Sequence, residues 1–79
     1  MKVYSITYRF RDCAVGWRNA DRLSAADAKE ALRLSLMQKN MRKKQRGRRI
    51  DYDAAEDAAK CKIPASENWK IEYAARKVK

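Results

Sequence analysis

The sequence predicts a small α+β domain, β-β-α-α-β in order, with helices packed on one face of a mostly antiparallel sheet. Three observations lead there. Residues 3–11 alternate with period two, residues 69–76 do the same, and between them lies a run with helical apolar spacing. Period two marks a half-buried strand, and apolar groups recurring every three to four residues mark a helix against a core.

In the first strand Tyr4, Ile6, Tyr8 and Phe10 share one face, while Val3, Ser5, Thr7, Arg9 and Arg11 share the other. Asp12 to Gly16 supply turn residues, and a second strand is expected over 15–22. Val15 and Trp17 suit its core face, but Asn19 and Asp21 do not, which points to a bulge or an early departure from the sheet. Ser24 then caps a helix predicted over 25–44, with Asp27 favouring its positive end and Leu23 stapling onto Ala28. Ala28, Ala31, Leu32, Ser35 and Leu36 fall within a sector of about 140° and form the stripe expected on the sheet.

Past Gln38 the stripe fails, because Lys39, Arg42 and Lys43 take the angular positions that faced the sheet. A continuing helix must project beyond the body, since burying unpaired cations is prohibitive; Gly47 breaks it. Asp53 and Glu56 resemble a capping box for a second, alanine-rich helix over 54–61; Tyr52, Ala55 and Ala59, spaced i, i+3 and i+7, would cover the far side of the long helix. Pro64 ends it, and Trp69, Ile71, Tyr73 and Ala75 alternate with Lys70, Glu72, Ala74 and Arg76 in a last strand. Its outer face, with Ser5, Thr7 and Arg9, reads as polar and moderately basic.

The chain's 79 residues hold one domain, 1–79, and a domain of this size buries only about 60% of its unfolded surface. That makes homodimerisation a natural supplement. A composition of 46% apolar and 38% charged residues suits a folded chain rather than a disordered one. Apolar stretches are far shorter than the ~18 residues that span a membrane, and because the first residues already carry the strand pattern, no leader is expected. The expectation is a cytoplasmic protein without membrane contact. Cys13 and Cys61 form no CxxC pair and the chain has no histidine, so two reduced thiols, no metal and no cofactor are expected.

The chemistry lies in the basic segment 39–49, at the end of the long helix and in the loop after it. Lys39, Arg42, Lys43, Lys44, Arg46, Arg48 and Arg49 carry +7 of the formal +10, and the segment contains no acid. Such a run fits a polyanion or an acidic surface. The arginines suit bidentate phosphate contact and the lysines act as point charges. No RNP-type aromatic motif, GXXG clamp or helix-turn-helix accompanies it, and Tyr4, Tyr8, Phe10, Trp17, Trp69 and Tyr73 fall mostly on the core face. The reading is therefore phosphate contact with DNA or RNA rather than base readout.

Asp51, Asp53, Glu56 and Asp57 form an acidic counterpart, read as helix capping and internal pairing rather than a metal site. Without a base-and-nucleophile arrangement, an enzyme is not expected. Leu34, Met37 and Met41 form a second apolar strip on the long helix, a candidate protein interface beside the cations.

With MKVYSITYRF opening and WKIEYAARKV closing, the strand–strand–helix–strand order resembles small ribosomal and phage accessory domains. In size and lack of catalytic residues the chain is also similar to phage-encoded inhibitors of bacterial defence, including anti-CRISPR proteins. That resemblance implies the alternative function, an inhibitor docking on a host nucleoprotein complex by protein–protein contact. It rests on architecture and carries no site residue with it.

Overall fold

The computed structural model describes residues 1–38, 50–63 and 67–78. Their elements run β1 (Lys2–Phe10), β2 (Arg18–Ala25), α1 (Ala28–Gln38), β3 (Ile50–Asp53), β4 (Ala58–Ile63) and β5 (Ile71–Lys77). All strands join one sheet in the order β2-β1-β5-β4-β3, every neighbouring pair antiparallel. The first and last strands are thus adjacent at the centre, and α1 covers one face.

This overturns the expected α+β arrangement with two helices. The structure is a five-stranded antiparallel sheet carrying, among the described residues, a single short helix. The difference lies in residues 50–63, where a hairpin replaces the second helix. The local signal at Asp53 was sound: its Oδ1 accepts from the backbone N–H of Ala55 at 3.0 Å and of Glu56 at 3.3 Å. Those bonds close a tight turn rather than opening a helix. Asp57 ends the turn with φ of 51°, a left-handed conformation that Asp tolerates better than most residues. The chain then reverses into AAKCKI, where Ala59 and Cys61 point inward and Lys60 and Lys62 outward. Period two decides the segment, and the i, i+3, i+7 face of Tyr52, Ala55 and Ala59 does not form.

The second strand lies later than the expected 15–22. Gly16 turns the chain at φ of +82°, where glycine carries no Cβ penalty, and Val15 and Trp17 stay exposed. Ser24 pairs with Val3 and Ala25 with Lys2, so ladder bonds claim the residues expected to start the helix. The expected bulge is present: Ile6 pairs with Asp21 and Thr7 with Asn19, leaving Ala20 as the extra residue. Asp21 faces the helix for a reason: its Oδ2 accepts from the Oγ of buried Ser35 at 2.9 Å.

The cap of α1 is Asp27 rather than Ser24. Its Oδ1 accepts from the Glu30 N–H at 2.8 Å and its carbonyl accepts from the Ala31 N–H at 3.0 Å. The predicted stripe of Ala28, Ala31, Leu32, Ser35 and Leu36 is fully buried. It packs on Tyr4 and Ile6 of β1, Ala25 of β2, Ala59 and Cys61 of β4, and Tyr73 and Ala75 of β5. Cys61 is buried and Cys13 half-buried, and neither is in a disulfide. The expected continuation of the helix through Lys44 lies outside the described residues.

One carboxylate ties these pieces together. Asp57 Oδ1 accepts from the Ala28 N–H at 3.0 Å and from the Tyr52 hydroxyl at 3.0 Å. Its Oδ2 accepts from the Tyr4 hydroxyl, and Lys2 Nζ lies 3.7 Å away. These donors, Tyr4 first, hold the Asp57 carboxyl at about 2, below its ordinary 3.8. Burial and the bond to Asp57 push the Tyr4 phenol up to about 12.

Two outcomes are expected. A carboxyl held low in the fold contributes stability above its ordinary pKa, and that contribution is lost as pH falls from about 3.8 to about 2. Asp57→Asn should therefore lower the thermal midpoint at neutral pH and remove that part of the acid dependence; an unchanged acid slope would contradict the assignment. Leu32→Ala, which opens a cavity under α1, should cost about 2–5 kcal/mol in urea unfolding.

Candidate functional site

The face of the sheet opposite α1 is where the described residues gather charge. Cross-strand pairing puts Ser5, Thr7 and Arg9 of β1 beside Arg76, Ala74 and Glu72 of β5. Arg22 of β2 lies opposite Ser5, and Lys60 and Lys62 of β4 lie opposite Ala74 and Glu72. Ser5, Thr7, Arg9, Glu72 and Arg76 thus share the face that alternation assigned them. Lys70 precedes β5, its backbone N–H bonded to the Ile63 carbonyl at 2.9 Å.

Glu72 is only 3% exposed although it lies on this open face. Its Oε1 accepts from Arg9 Nε at 2.8 Å, so the buried carboxylate meets a cation that stays partly in solvent. Two tryptophans complete the cover. The Arg9 guanidinium lies 4.9 Å from the Trp17 ring centroid and 5.5 Å from that of Trp69. Arg11 and Lys62 also stand over Trp69, at 5.7 and 5.4 Å. Each distance is within cation–π range, and the set forms a small cationic–aromatic layer outside the main core.

Trp17, Thr7, Ala74 and Arg76 line a shallow cleft on this face. A second hollow nearby brings Lys60 and Arg76 against Asp51, Asp53 and Glu56, so the β3 edge is acidic where the centre is basic. Acids of the 51–57 stretch have separate structural duties: Asp53 holds the turn and Asp57 the helix start. No group of three or more metal-type ligands gathers among the described residues. No described helix is long and apolar enough to cross a membrane.

Lys39, Arg42, Lys43, Lys44, Arg46, Arg48, Arg49 and Met41 all lie outside the described residues. Their segment joins the end of α1 to the start of edge strand β3. Of the apolar strip, Leu34 is half-buried against the core, while Met37 is 55% exposed and accepts a contact from Arg33 Nη1 at 3.4 Å. Comparisons with protein-family models, curated proteins and solved structures found no match.

The aromatics divide in a way the alternation did not predict. Tyr4 and Tyr73 are buried and Tyr8 packs on the core, but Phe10 and Trp17 are exposed. Trp69 belongs to the open-face layer, because β5 begins only at Ile71 and the alternation cannot be extended back to it. The available signal was the spacing of cations at Arg9 and Arg11 and at Lys60 and Lys62, which puts pairs of charges on one strand face.

The Arg9–Glu72 bond has a measurable worth. Arg9→Met should cost about 1–3 kcal/mol by leaving a buried carboxylate unpaired, whereas Arg9→Met with Glu72→Gln should recover part of it. Additive effects in urea unfolding would show that the pair does not couple.

Proposed function

We propose that this chain is a non-enzymatic nucleic-acid-binding domain that engages phosphates through its basic segment. One observation carries the reading: seven cations and no acid among the eleven residues of 39–49. Such density exceeds what favouring a helix C-terminus requires, and it suits counterion release from a nucleic-acid backbone. Arg9, Arg22, Lys60, Lys62 and Arg76 on the open sheet face add a second basic surface in support.

A second reading draws on Met37, which is exposed beside Arg33 on the outer side of α1. In it the chain is an inhibitor of the phage type that docks on a nucleoprotein complex, with cations meeting acids and the apolar strip supplying contact.

Binding to mixed-sequence DNA and RNA, measured from ~50 to ~200 mM salt, tests the first reading. Strong binding with a steep salt slope is expected. Replacing Arg42, Lys43, Lys44 and Arg46 with alanine should weaken binding across all sequences and flatten the slope by roughly one unit per lost contact. No binding at low salt would retire the reading in favour of the second, in which Met37→Glu should be the more damaging change.

A further inference from the structure

We propose that the open sheet face carries a stacking subsite for one unpaired base of a single-stranded nucleic acid, with Trp17 and Arg76 as walls and Thr7 and Ala74 as floor. The proposal rests on the nucleic-acid reading and names the strand state and the residues it would use.

Size is the first argument. The cleft encloses about 260 Å³, under the roughly 300–1,000 Å³ of pockets for drug-sized ligands, which suits a single planar ring. Ala74, whose side chain is a single methyl, leaves the floor of the cleft low. Preorganisation is the second. The guanidinium of Arg9 lies against Trp17, touches Trp69 on its own account, and is fixed by its bond to Glu72. Trp17 is still 43% exposed, so a braced indole presents free surface to solvent. A ring held in advance loses little freedom when a base stacks on it.

Charge complementarity supplies the third argument. Arg76 lines the cleft, Lys60 of β4 lies opposite its floor residue Ala74, and Arg22 of β2 lies one row away opposite Ser5, so cations stand on both sides for the phosphates flanking a stacked base. Asp51 and Asp53 lie in the hollow that Lys60 and Arg76 also line, which disfavours phosphates on the β3 side and favours a path toward β1 and β2. A duplex keeps its bases stacked inside, so an indole on a sheet can receive only a base already unpaired.

The test compares an oligo(dT) of about 12 nucleotides, within the span that small stacking domains cover, with a duplex of equal length and with heparin, which has charge but no bases. Binding of oligo(dT) should quench tryptophan emission. Trp17→Ala should weaken it roughly tenfold to a hundredfold, the worth of one stacked base, and Trp17→Phe should restore most of the loss. Ala74→Val, which fills the floor and removes no charge, should also weaken oligo(dT), while heparin binding stays unchanged in all three variants. Circular dichroism checks that each remains folded. Oligo(dT) binding that ignores Trp17, or heparin binding that falls in parallel with it, overturns the subsite and leaves the phosphate reading standing. Failure of all three polymers to bind at low salt overturns both.

Discussion

The Asp57 carboxylate is the point on which the fold turns. It sits in a hairpin turn, yet it receives the hydroxyls of Tyr4 and Tyr52 and the first free N–H of the helix. A negative charge at a helix N-terminus is favoured by the backbone dipoles there. Here the charge comes from a distant strand connection, so the same bond that satisfies the helix also fixes its position over β1 and β3. Its left-handed backbone is what delivers the side chain to that place.

Fixing one short helix on one side of five strands leaves a second face without a covering element among the described residues. The sheet covers it locally instead. Glu72 is buried under Arg9, Arg9 lies against two indoles, and Trp69 gathers three cations around it. Long cationic side chains can spread their apolar stems over such a surface and keep their charge wet. The result is an exposed face whose buried carboxylate and indoles are covered by cationic side chains. Positive charge on this face thus has a structural duty at Arg9, while Asp51 and Asp53 lie along β3.

Much of the packed face was legible in advance. The alternation of Tyr4, Ile6 and Tyr8 and the stripe from Ala28 to Leu36 rest on periodicity, and both meet in the core. The bulge near Asp21 was legible as a break in that pattern, though its partner Ser35 was not, because side-chain bonds between distant elements leave no local trace. At Asp53 the sequence showed a real capping preference whose outcome depended on what followed. A turn and a helix start share their first bonds, and only pairing of Ala59 and Cys61 with β5 and β3 separates them. Trp17 and Trp69 misled for a related reason: each stands just outside a strand, where period two no longer fixes a face. The basic segment is conspicuous as composition, yet composition names a class of partner and not a geometry.

We propose that the basic segment and the open sheet face serve a single role. The most direct test is amide and indole N–H shift mapping on isotope-labelled protein titrated with a short single-stranded oligonucleotide. The account predicts perturbations at Arg9, Trp17, Ala74, Arg76 and the 39–49 segment, with the Trp17 indole among the largest and the buried side of α1 silent. Shifts confined to the outer side of α1 around Met37, or none at saturating oligonucleotide, would contradict it.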